Sequence, residues 1–192
     1  MNHEDCFYKC SKEYVHSIDP TLYGEVAEVI AKLPKRQKQD KINNDLFWIL
    51  THNGWAYDTL SNVSESPPQE LGSGDITKAT LSRNNDRSLC VTSTTLDASW
   101  HSDFAKLFTS GLVQIEAQFG KVESMFKDFC GFRIARQERR LALGIEIVLC
   151  EPYMYFLHRR NAISGMAYFD IAKNTLPAID LDCPIWLIGI KE

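Results

Sequence analysis

The chain has 192 residues, 44% hydrophobic and 24% charged, with a formal net charge of −4. That is the composition of an ordinary globular protein, long enough to bury its own core as one domain spanning 1–192. No apolar run approaches the roughly 20 residues that span a bilayer, and Met-Asn-His-Glu-Asp at the start lacks the pattern of a signal peptide, so a cytoplasmic protein is expected.

The six cysteines are read as reduced thiols acting as small hydrophobes. His3, Cys6, Cys10 and His16 include four zinc-type side chains, in a spacing that matches no standard finger. Asp19-Pro20 predicts a helix N-cap with proline in the first turn, followed by Leu22, Val26, Val29, Ile30 and Leu33 at helical spacing until Pro34. A second helix carries Ile42, Leu46, Ile49 and Leu50 and ends at Asn53-Gly54. Trp55 to Tyr57 predicts the start of a strand. Residues 61–75, with Pro67-Pro68 and Gly72-Ser73-Gly74, predict a mobile loop acting as lid or insertion. Ser88 to Thr95 reads as extended.

From Leu112 to Lys121 the pattern sharpens. Val113, Ile115, Ala117 and Phe119 alternate with Gln114, Glu116 and Gln118, the period of a strand with one apolar and one polar face. A half-exposed strand satisfies that pattern. So does a buried strand in which Glu116 meets a cation, because an unpaired buried charge is costly. A helix is predicted over Val122 to Arg140, with Met125, Phe126, Phe129 and Ile134 as its apolar positions. Gly144 to Cys150 predicts a second alternating strand, with Ile145, Ile147 and Leu149 set against Glu146. After a turn at Glu151-Pro152 comes an aromatic segment, Tyr153 to Leu157, whose Tyr153 to Phe156 aromatics read as core with base stacking the minor reading, and then His158-Arg159-Arg160-Asn161 as an exposed basic loop. Pro184 to Ile190 reads as a strand buried on both faces. Together these elements predict an α/β fold with a central mixed sheet flanked by helices.

Charge is unevenly spread. Lys121 to Arg160 holds eight Lys/Arg against five acids, a local +3 in a chain that is −7 elsewhere, so a polyanion can be bound locally. A hard divalent cation such as Mg²⁺ takes one or two carboxylates plus substrate phosphate and water. Asp103, or Asp97 in competition with it, would supply the first carboxylate and Glu116 the second, with the Ile115 or Ala117 carbonyl as a further ligand. Such a cation activates water and offsets charge at phosphorus. Gln118, on the same strand face, would orient the attacking water.

Asp103-Phe104-Ala105-Lys106, then Ile115-Glu116-Ala117-Gln118-Phe119-Gly120-Lys121, resembles the BglII/BstYI group of type II restriction endonucleases, within the PD-(D/E)XK nuclease fold. Gly144-Ile145-Glu146-Ile147, Ile163-Ser164-Gly165-Met166-Ala167-Tyr168-Phe169 and Pro184 to Ile190 extend the resemblance, which runs from Asp103 to the C-terminus. It implies Mg²⁺-dependent hydrolysis of double-stranded DNA by a homodimer on a GATC-centred palindrome, leaving four-base 5′ overhangs, with a cognate DNA methyltransferase in the same system. By that resemblance Asp103 and Glu116 are metal ligands, and Gln118 stands where most such nucleases have Lys. Lys121 and Ser164 fall at base-contact positions, with Arg159, Arg160 and Asn161 close by. Arg133 and Arg136 complete the basic set expected at DNA, in a stretch divergent enough to imply a different flanking-base preference. Twelve residues separate Asp103 from Glu116, and Thr109-Ser110-Gly111 reads as an inserted turn between them. A DNA-binding or repair protein of the same fold, without cleavage, is the alternative.

Overall fold

The computed structural model describes residues 1–58, 63–71, 76–92, 100–138, 140–152 and 165–191. Its frame is a six-stranded sheet formed by β1 (Asn2–Tyr8), β2 (Ala56–Tyr57), β5 (Phe104–Phe108), β6 (Gly111–Ala117), β7 (Leu141–Leu149) and β8 (Ile185–Lys191), in the order β1-β8-β7-β6-β5-β2. β3 (Val91–Thr92) and β4 (Trp100–His101) form a separate two-stranded ribbon. The helices are α1 (Lys12–Ile18), α2 (Leu22–Lys32), α3 (Gln39–His52), α4 (Lys78–Asn84), α5 (Val122–Gln137) and α6 (Phe169–Ala178). β6, β7 and β8 run parallel, whereas β1, β5 and β2 pair antiparallel to their neighbours, so the sheet is mixed as predicted.

Both faces of the sheet are covered. On one, Val26, Ile30, Leu46, Phe47 and Leu50 of α2 and α3 pack on Val113, Ile115, Ile145 and Ile147. On the other, Phe129 and Phe132 of α5 and Leu176 of α6 pack on Val148, Ile185 and Leu187. All nine residues of β7 are therefore buried, Glu146 included. Gly144 lets α5 approach, because a Cβ there would lie 2.8 Å from the Phe132 ring and 2.8 Å from Ile185 Cδ1.

Several predicted elements shift. Asp19 caps the C-terminus of α1, its carboxylate accepts from Thr21, and α2 begins only at Leu22, so Pro20 lies before the helix. The N-terminal residues form β1 and α1. Their apolar positions are too sparse to stand out, and edge pairing with β8 orders them. Cys6 packs under α6 while Cys10 donates to the Ile185 carbonyl at 3.3 Å, and among the described residues no three His, Cys, Asp or Glu form a metal-holding group. The start of the stretch from Ser88 is a 3₁₀ turn over Arg87–Leu89, capped by Asp86, with β3 only at Val91–Thr92. α5 ends at Gln137, and Phe126 points outward at 41% exposure while Phe132 and Ala135 are buried, because the inward stripe runs Met125, Phe129, Phe132, Ala135. Within the loop predicted at 61–75, residues 63–71 lie against α3, where Trp48 Nε1 donates to Ser64 Oγ at 2.9 Å. The Tyr153 to Asn161 readings fall outside the described residues. No helix among those described is long and apolar enough to cross a membrane.

Filling the Gly144 contact should be costly. Gly144→Val is expected to destabilise by about 1–3 kcal/mol through overpacking, read as a lower urea midpoint. Gly24→Ala, in α2 with nothing within 4 Å of its Cβ position, is expected to stabilise by up to about 1 kcal/mol.

Candidate active site

The hairpin of β5 and β6 solves the long spacing between Asp103 and Glu116. Its turn is Thr109-Ser110, and Gly111 at φ 138° enters β6 where a Cβ would lie 2.9 Å from Ala142 Cβ. Antiparallel register then sets Phe104 opposite Ile115, so Asp103, just before β5, meets Glu116, near the end of β6. The Asp103 N–H donates to Glu116 Oε2 at 3.3 Å, and the Ala117 N–H donates to Asp103 Oδ2 at 3.0 Å. From the other side the Asp58 N–H donates to the Asp103 carbonyl at 3.1 Å. Asp58 in turn binds Arg87 Nε and lies 3.1 Å from His101 Nδ1.

The polar face of β6 is closed over Gln114 and opens toward the strand's end, where Glu116 and Gln118 are half-buried. Gln114 is 2% exposed and donates to the Leu89 carbonyl at 3.2 Å. Gln118 extends the parallel ladder, its N–H donating to the Ile147 carbonyl at 2.9 Å. Its side chain is fixed at both ends: Nε2 donates to Asp128 of α5 at 3.1 Å, and Oε1 accepts from the Gly120 N–H at 2.9 Å. Glu116 and Glu146 are register partners in neighbouring parallel strands, so their side chains share this face about 4.8 Å apart in strand spacing.

Four carboxylates thus converge beneath the N-terminal half of α5, and no ion pair reaches Asp103, Glu116, Asp128 or Glu146 among the described residues. Burial pushes the Asp103 carboxyl up to about 6, against the Ala117 hydrogen bond that favours its charge. Burial likewise raises Asp128 to about 7, with the Asp103 charge adding to it. Glu116 is raised by burial and then by the Asp103 and Asp128 charges. Glu146 rises for the same reasons, and neither of its oxygens has a hydrogen-bond partner. An all-oxygen donor set with surplus negative charge is the chemistry that suits a hard divalent cation, and Asp103 and Glu116 could hold one. A site with only two such carboxylates in place is completed by water and substrate oxygens.

Of the other residues singled out from the sequence, Lys121 is exposed at the N-cap of α5, and the chain returns beside it, Val122 N–H donating to the Gly165 carbonyl at 2.8 Å. Arg133 and Arg136 lie farther along α5, Arg136 about 12 Å from Asp128 along the axis. Arg136 Nη1 donates to the Leu141 carbonyl at 3.0 Å, at the opposite end of the parallel strands from Gln118. Asp97, Arg159, Arg160, Asn161 and Ser164 lie outside the described residues. Sequence reasoning left out Asp128 and Glu146, and with them the Asp58, Arg87 and His101 group. A helix acid and a strand acid gain meaning only from the register that brings them to Glu116.

A family model described as restriction endonuclease BglII/BglIII matches residues 6–190. The crystal structure of restriction endonuclease BglII complexed with a DNA 16-mer superposes with a TM-score of 0.64 at 16% identity, over 100% of this chain and 79% of that one. No curated protein matches the sequence.

The raised carboxylates set a pH dependence with a definite sign. Their pKa values lie above the ordinary carboxylate range, so the folded chain holds more protons than the unfolded one. Their contribution to the stability of the cation-free protein is therefore complete below about pH 4 and is lost as pH rises through about 6 to 7. Urea midpoints measured in EDTA should fall between pH 5 and pH 8, and Asp128→Asn should flatten that fall.

Proposed function

The chain belongs to the restriction endonuclease BglII/BglIII family and is a type II site-specific endonuclease, and from that premise we propose that it hydrolyses double-stranded DNA at a GATC-centred palindrome, dependent on Mg²⁺. The observation that carries this reading is the Asp103–Glu116 pair, joined across the hairpin with Gln118 on the same face. The wider reading is a PD-(D/E)XK nuclease of the BglII/BstYI kind, acting in the cytoplasm as a homodimer that leaves four-base 5′ overhangs, with a methyltransferase protecting the host sites.

Asp103 and Glu116 would hold the cation, and their negative charge, raised in free energy by burial, favours its capture. When bound, a divalent cation acidifies a water and offsets the charge developing at phosphorus. Gln118 carries no charge and takes no proton. Its Oε1 retains a second lone pair beyond the Gly120 N–H, with which it orients a water, while Asp128 fixes the amide plane. Lys121 stands at the protein surface beside this group, where an ammonium can reach a guanine edge in the major groove. Ser164, Arg159, Arg160 and Asn161 are assigned to DNA alongside it, and Arg133 and Arg136 to phosphates farther along the duplex, which position without specifying.

Glu116→Ala and Asp103→Ala should each lower cleavage by at least about 10³-fold, the rate equivalent of the several kcal/mol a cation supplies, while binding to duplex DNA in Ca²⁺ persists. Digestion of a plasmid of known sequence, with the fragment ends mapped, checks both the site and the overhang. A protein that retards DNA yet never cuts it, in any divalent cation, would mark the non-cleaving DNA-binding alternative. Lys121→Ala should change which sites are cut, since one bidentate base contact is worth about 1–3 kcal/mol of discrimination.

A further inference from the structure

Glu146 is 0% exposed, and both its carboxylate oxygens lack a hydrogen-bond partner. A buried carboxylate left in that condition is expensive, and a residue of that kind in a folded protein points to an absent ion or to a role at a site. Other buried polar side chains of the sheet and its helices show how such groups are ordinarily satisfied. Asp45, 1% exposed, accepts from Arg36 Nε at 2.6 Å, and Gln114 donates to a carbonyl. Glu146 has no such arrangement. Its register partner is Glu116, and the charges that act on it are those of Asp128, Glu116 and Asp103. Above it lies the apolar side of α5, with Met125, Phe129 and Phe132.

This geometry does not make Glu146 a ligand in a ready-made cage, because no three acids among the described residues form a metal-holding group. It places the side chain behind Glu116, one strand deeper in the sheet. We propose that Glu146 is a positioning residue that sets the affinity of the Asp103–Glu116 site for a divalent cation, acting through Glu116 and the cation's outer waters. The inference rests on the cation-dependent reading of the site. A cation at Asp103 and Glu116 favours the ionised form of Glu146, and that charge adds negative potential where water is scarce, so it acts more strongly than one at the surface. It also restrains Glu116 from turning inward, since that rotation would bring two carboxylates together.

The test is Mn²⁺ binding to the full chain without DNA, followed by electron paramagnetic resonance. Glu146→Gln, nearly the same shape without the charge, should weaken Mn²⁺ binding 10- to 100-fold, the range typical of groups that support metal ligands. Glu146→Asp should recover most of the loss, and Glu146→Met should behave like Glu146→Gln. Unfolding midpoints in EDTA separate this from a structural role: Glu146→Gln should be at least as stable as the natural chain while binding Mn²⁺ less well. Natural affinity in Glu146→Gln would overturn the inference and leave the Asp103–Glu116 site standing. Mn²⁺ binding unchanged in Glu116→Gln would instead overturn the site on which the inference rests.

Discussion

The structure is organised around an electrostatic conflict, in which four carboxylates gather on one face of the sheet and, among the described residues, no ion pair offsets their charge. The Asp103 N–H donates to Glu116 while the Ala117 N–H donates to Asp103, Asp128 leans in from α5, and Glu146 lies beneath. Each is costly alone, and their mutual repulsion adds to the cost. The rest of the fold supplies the rigidity that holds them there. The apolar contacts of α2 and α3 on one side and α5 and α6 on the other fix the sheet, so the acids cannot spread apart without opening a core.

Sheet topology decides which acids meet. An antiparallel hairpin brings Asp103 beside Glu116 despite the intervening chain, and a parallel crossover through α5 brings Glu146 alongside in register. The same crossover lowers Asp128 onto Gln118. Both geometries converge on β6, and a one-residue slip of β6 would turn Glu116 to the α2–α3 face, beside Ile145 and Ile147, and carry Val113 and Ile115 off it.

Much of this was readable in advance, for reasons that differ by residue. The alternation around Glu116 is local, so its strand and its polar face could be read directly, as could the final strand and the turn at Thr109-Ser110-Gly111. Whether that polar face met solvent or a helix depends on how far α5 folds back, which no local pattern encodes. Phe126 and Phe132 are both large and apolar within one helix. Six residues apart, they stand about 120° from each other around the helix, and Phe132 is the one that meets the gap at Gly144. β1 is ordered by β8 at the other end of the chain, and Glu146 gains its meaning from Glu116 thirty residues earlier.

The ties between the start of α5 and the segment at Gly165 have a consequence for fidelity. Val122 donates to Gly165 and Ala167 to Gly120, and Lys121 bridges to Met166, so the two segments move as one piece. Gly120, through its N–H, also grips the Gln118 side chain. Any surface that settles against Lys121 thus presses, through two peptide units, on the amide that lies beside the carboxylates. Under the proposed function, a misfit at the Lys121 surface would reach the Asp103–Glu116 pair at the same moment, making the accuracy of contact a condition for turnover and not merely for residence.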